Sequence, residues 1–199
     1  MEPVASPLID NGPLIDARAA LWSRLGMFFP ASHFARADVP ARVTPKGWQR
    51  LLRRTPFIGL CWRGIAPEAG NARIFRGRSQ WTVFLATRNE HAPETRATGA
   101  ATGPGLFGMT QVAAFALGGC TLDGIGAVTI TEVGNLSADN WDDEAAAVAG
   151  ISLDLPFGLD AGISASDVGE FLRAGVTWNF DPPLPGNVPA ADDVYQVRS

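Results

Sequence analysis

A chain of 199 residues with 46% hydrophobic content is long enough for one domain with a real core and extended arms. Its formal charge of -4 is too mild to argue for nucleic acid, and no run approaches the roughly 18 apolar residues of a membrane span. Glycine (22) and proline (15) are frequent but not periodic, which points to many turns and long connections rather than low complexity.

The opening "MEPVASPLIDNGP" is acidic and broken by proline, so it does not read as a signal peptide, and the expectation is a soluble protein made in the cytoplasm. Asp10 or Asn11 can cap a helix over 13–29 whose first residue is Pro13. Leu14, Ala17, Leu21, Leu25 and Phe28 recur along it at helical spacing, with Ile15, Trp22 and Phe29 widening the stripe. Pro30 stops it, and 31–43 reads as a long connector. Thr44-Pro45 opens a second helix to about Arg54, with Trp48, Leu51 and Leu52 on one side and Arg50, Arg53 and Arg54 on the other.

"FIGLCW" (57–62) reads as a buried strand and "GIAPEAGN" as a turn region. Residues 72–76 can begin the next strand. Over 78–88, Trp81, Val83 and Leu85 alternate with Thr82, Phe84 and Ala86, so both faces are apolar, as in a central strand covered on both sides. Residues 89–104 form a long Gly/Ala/Thr/Pro loop, a length usually functional or disordered. A helix is predicted over 106–117, stopped by Gly118-Gly119. Strands follow at 127–133, at 147–155 with Pro156 ending it, and at 172–180, with an acidic turn at "GNLSADNWDDEAA" and a proline-rich tail. Consecutive strands without crossover helices favour an α+β domain: a mostly antiparallel sheet packed with helices on one or both faces. The chain reads as a single domain with a core over about 10–157, followed by an extra strand and a C-terminal arm.

Charge is unevenly placed. Residues 1–100 hold 14 Lys/Arg against 7 Asp/Glu, a net of +7, and residues 101–199 hold 2 against 13, a net of -11. Pairing between the two halves is one reading; a subunit with a basic and an acidic face, suited to head-to-tail docking with its own copies, is the other. Arg73, Arg76, Arg78 and Arg88 on the basic side, and Asp139, Asp142, Asp143 and Glu144 on the acidic side, are the candidate residues of a subunit or tube interface. The arginines also fit the polar edge of a strand, where charge discourages aggregation, and the acidic group also fits a solvated turn.

Catalytic chemistry has little to stand on. Cys61 and Cys120 are far apart in apolar surroundings and read as buried free thiols, and with only His33 and His91 a zinc site would be thin. Neither histidine has an obvious nucleophile beside it for a triad. The acidic stretch lacks the alternating spacing and glycine of a calcium loop. Gly103-Pro-Gly-Leu-Phe-Gly108 fits G-x-G-x-x-G, but 14 residues separate it from Arg88 and Pro104 removes a backbone donor, so the context of a dinucleotide loop is missing. The expectation is a protein that is not an enzyme and takes no cofactor or metal.

The N-terminal amphipathic helix, "PFIGLCWRG", "RSQWTVFLATRNEH", "GPGLFGMTQVAAFALGG" and "AVTITEVGNL" before "AVAGISLDLPF" together resemble the tail-terminator (tail-completion) proteins of Mu-like phages and prophages. In that family a strand ending in an Arg-Asn pair leads through a variable loop into a helix and then a strand that closes the sheet; the matching piece here is Phe84-Leu-Ala-Thr-Arg88-Asn89. The resemblance spans about residues 10–157, while 31–43 and 158–199 depart from the family's shorter pattern. It implies a homo-oligomeric ring, a hexamer, that caps the tail tube, stops its growth and meets the head–tail connector or neck protein, with sheath protein as a further neighbour if the tail is contractile. DNA would pass through the lumen without sequence-specific binding, the location would be the virion tail–neck junction, and no membrane is implied. The alternative reading is a stopper or adaptor at the neck, and the third is an enzyme using the Gly-rich loop. Loop 89–104 is expected to be a contact arm that orders on assembly.

Overall fold

The computed structural model describes residues 11–69, 75–89, 95–100, 103–136 and 146–159, together with two short strands at Val176–Thr177 and Asp192–Asp193. The chain divides into two compact units, Met1–Leu159 and Asp160–Ser199. In the first unit helix α1 (Pro13–Phe28) is followed by strand β1 (Ala35–Asp38), helix α2 (Pro45–Leu52), and strands β2 (Phe57–Pro67) and β3 (Phe75–Arg88). A two-residue ribbon of β4 (Gly99–Ala100) and β5 (Gly103–Pro104) leads to helix α3 (Leu106–Leu117). A second small ribbon, β6 (Thr121–Leu122) with β7 (Gly126–Ala127), leads to β8 (Thr129–Asn135) and β9 (Ala146–Leu159). In the second unit β10 (Val176–Thr177) pairs antiparallel with β11 (Asp192–Asp193); the remainder of the strand predicted over 172–180 and the proline-rich tail lie outside the described residues.

The main sheet has the order β1-β2-β3-β9-β8, with β3 at its centre. Alternation along β3 sorts its side chains as the sequence predicts. Trp81, Val83 and Leu85 join Ile58 and Leu60 of β2 and Ala149, Ile151, Leu153 and Leu155 of β9 on one face. Ala17, Leu21 and Leu25 of α1 and Leu106, Met109, Ala113 and Leu117 of α3 pack on it. Phe84 and Ala86 join Phe57, Cys61 and Val148 on the other face, beneath Leu52 and Trp48 of α2. Trp48 meets the Phe84 ring edge-on at 5.1 Å. The coarse class is therefore α+β with a mostly antiparallel sheet and helices on both faces.

Several predicted boundaries move, each for a local reason. Gly12 is the N-cap of α1 and no side chain caps that helix, whereas Thr44 does cap α2 by accepting from the Gly47 N–H at 3.2 Å. The connector after α1 contains β1, which runs parallel to β2 through the crossover helix α2. Backbone pairing to an existing edge made this strand, and its own "ARAD" carries no strand pattern. β2 continues to Pro67 through a bulge between Trp62 and Gly64, so the first half of the expected turn is strand. β9 continues through Pro156 to Leu159. Its ladder with β8 begins at Thr129–Asp154, so beyond Asp154 proline's missing N–H costs the β8 ladder nothing. Gly59 is required by packing: a Cβ there would lie 2.4 Å from Val39, whose side chain crosses this face as the chain heads for α2.

Candidate assembly interface

The proposed interface arginines do not form one patch. Arg76 and Arg78 are exposed at the start of β3, flanking buried Gly77 and followed by buried Ser79. Arg78 lies 3.8 Å from Glu68 across the β2–β3 pair. Arg88 is half-buried at the opposite end of β3, roughly 40 Å away at strand rise. Arg73, Asp139, Asp142, Asp143 and Glu144 lie outside the described residues. The acidic stretch is bounded by Leu136, whose N–H donates to the Val148 carbonyl at 2.9 Å, and by Ala146, which pairs with Arg88. Its two anchors thus sit at the Arg88 end of the sheet.

Other arginines hold elements of the fold together, a role the sequence reading did not assign them. Neither α1 nor α3 carries a basic residue in its last turn. The carbonyls there are met from outside. Arg36 of β1 donates to the Phe29 and Gly26 carbonyls at the end of α1, and Arg24 of α1 donates to the Ala116 carbonyl of α3 at 2.8 Å. A cation at a helix C-terminus also complements the helix dipole. Arg24 lies 5.2 Å over the Phe28 ring. Arg18 and Trp22 of α1 both donate to Asp38 of β1, Trp22 at 3.0 Å. Burial alone would raise the Asp38 carboxyl, but the hydrogen bonds from Arg18 and Trp22 hold it below the usual carboxylate range. The same hydrogen bond raises the Arg18 guanidinium. The Arg18–Asp38 and Arg78–Glu68 pairs both join residues of the basic half. Lys46, Arg50, Arg53 and Arg54 stay exposed along and just beyond α2.

The segment carrying the Arg-Asn pair is tied to α3. Thr87 donates through its hydroxyl to the Arg96 carbonyl at 2.9 Å, and the Asn89 side-chain amide donates to the Thr95 hydroxyl at 2.7 Å. The Arg96 and Ala97 carbonyls in turn accept from the N–H groups of Leu106 and Phe107 at 3.0 and 2.9 Å. The first N–H groups of α3 are therefore satisfied by backbone, in place of the side-chain cap that Gly105 cannot offer. Gly105 allows this approach: a Cβ there would lie 2.1 Å from the Gly99 nitrogen. Gly103 and Gly108, the outer members of the G-x-G-x-x-G pattern, face open space. The described part of loop 89–104 is thus hydrogen-bonded to the domain.

Two surfaces stand out beyond these residues. On the α2 face of the sheet, beside the area α2 covers, Arg63, Gln80, Thr82, Glu132, Ser152 and Asp154 help to line a concavity of about 430 Å³. Neither histidine nor cysteine lines it. On the other side, α3 carries no charged residue, and Phe107 and Phe115 are 59% and 75% exposed. That feature was legible in "LFGMTQVAAFAL", which is apolar on more than one face of a helix. Cys61 is buried and Cys120 half-buried, both as free thiols; burial pushes the Cys61 thiol up, and Arg63 offsets this only in part. His33 is exposed, and His91 lies outside the described residues. Among the described residues no group of three or more His, Cys, Asp or Glu is placed to hold a metal, and no helix is long and apolar enough to cross a membrane. No protein-family model and no curated protein matches the chain.

Proposed function

We propose that this chain is a structural subunit of the tail-terminator kind, assembling into a ring that caps a phage tail tube and presents a joint to the neck. The observation that carries the reading is the junction at Thr87-Arg88-Asn89. There the central strand ends, its Thr87 and Asn89 side chains hold the returning loop, and that loop caps the helix that precedes the closing strands β8 and β9. This is the succession for which the family resemblance was drawn. The uneven charge supports it further: Arg76 and Arg78 are exposed at one end of β3, while the acidic stretch is anchored at the other. Opposite charges at opposite ends suit a heterologous contact, the kind that closes rings.

Electron microscopy of the purified protein, alone and with tube subunit, tests the proposal. The expected result is closed rings, found at the ends of tubes whose growth they stop. Tubes that elongate unchanged in the presence of a monomeric chain would overturn it. Co-purification with a neck protein but not with tube subunit would move the assignment to a stopper or adaptor.

A further inference from the structure

The exposed side of α3 has a symmetry that points to a particular occupant. Phe107, Gln111 and Phe115 are spaced by four residues and share one face of the helix. All three are exposed. The two rings stand at equal distances on either side of Gln111, roughly 12 Å apart along the axis. Beside the first ring lies an open apolar groove of about 260 Å³, formed by Phe107, Thr110 and Gln111 with Val133 and Ala149 of the sheet. Beside the second, Phe28 of α1 meets Phe115 edge-on at 6.1 Å.

We infer that this face binds the same face of a second copy, α3 against α3 in antiparallel sense, about a two-fold axis at Gln111. In that arrangement the Phe115 ring of each copy enters the Phe107–Val133 groove of the other, and the contact is made twice. Three features favour a second copy over a foreign partner. The helix itself has no charge, and Arg24, the cation beside its second ring, is held by the Ala116 carbonyl and over the Phe28 ring. At the axis stands an amide, which carries both donor and acceptor and can pair with itself. Finally, the exposed parts of Phe107, Phe115, Val112 and Val133 amount to roughly 400 Å² of apolar surface, most of the apolar share of a stable interface burying ~800 Å² per partner. The contact is isologous and closes at two, so it is separate from the heterologous surfaces a ring requires and stands or falls independently of the terminator reading.

Cysteine cross-linking at the axis tests it. In a Cys120→Ser background, Gln111→Cys is oxidised and compared with Arg50→Cys, which lies on α2 across the sheet. Helices packed at about 8–10 Å bring facing Cα atoms within disulfide reach, so Gln111→Cys is expected to yield covalent dimer readily and Arg50→Cys to yield little. Independently, Phe115→Glu is expected to weaken self-association roughly 100-fold by sedimentation, with an unchanged circular dichroism spectrum because the side chain is exposed in the single chain. A wild-type protein that sediments as a monomer would overturn the inference. So would rings or other oligomers in which Gln111→Cys cross-links no faster than Arg50→Cys. Cross-linked pairs without any ring would support this contact while removing the ring proposal.

Discussion

Asp38 is half-exposed, yet it joins two side chains of α1, Arg18 and Trp22, to the edge strand of the sheet. Its carboxyl is held below the usual range, so its contribution is fully present above about pH 4, where the unfolded carboxylate is also ionised, and is lost as pH falls through the lower folded value. Asp38→Asn is expected to cost less than about 1 kcal/mol at neutral pH, because solvent screens the pair, and to flatten the acid side of the stability profile. Urea titrations from neutral pH into the acid range check both. Arg36 is a stronger case, since it is half-buried and serves the carbonyl end of α1. Arg36→Met keeps the apolar stem and removes the donors; the expected loss is about 1–2 kcal/mol, against less than about 0.5 for exposed Arg53→Met. Equal losses in equilibrium denaturation would count against the capping role.

At the scale of elements, α3 is placed by its first turn as much as by its buried stripe. The carbonyls of 96–97 reach its N–H groups only because Gly105 permits backbone contact with 98–99. Gly105→Ala is therefore expected to destabilise the unit by about 1–3 kcal/mol and to speed amide exchange at Leu106 and Phe107 before the rest of the helix. Protected amides at those two positions in the variant would show that the close approach is dispensable. The sheet itself depends on its central strand. Leu85 is fully buried between β2 and β9 beneath the α1 and α3 layer, and Leu85→Ala is expected to cost about 2–5 kcal/mol, read as a lower denaturation midpoint.

For the whole molecule, the proposal turns on how copies meet. Arg76 and Arg78 are exposed, and the ion pair Arg78 makes with Glu68 is long, so both remain available to a neighbour's acidic surface. Reversing both to Glu is expected to slow and weaken ring assembly, and added salt is expected to weaken the wild-type ring while affecting the variant less. Sedimentation across a salt series checks this; identical behaviour of the two proteins would remove these arginines from the interface. Phe115→Glu acts on a different, apolar contact and is expected to be insensitive to salt.

Much of this was written locally. The buried stripe of α1, the Thr44 cap, the two-sided apolar run of β3 and the limits of α3 follow from spacing and side-chain type, because periodicity alone determines which residues can share a face. The exposed stripe of α3 was equally present in its sequence, since no charge marks its solvent side. What the chain order could not convey is which segments meet. β1 became a strand by pairing with Phe57–Leu60, β9 was inserted between β3 and β8, and Pro156 was tolerated because β8 does not extend alongside it. Nothing in the sequence marks Arg24 or Arg36 for the helix ends that the fold brings to them. Backbone pairing and the satisfaction of buried carbonyls are long-range conditions, met by whichever group the packing brings near, and only the tertiary structure decided those.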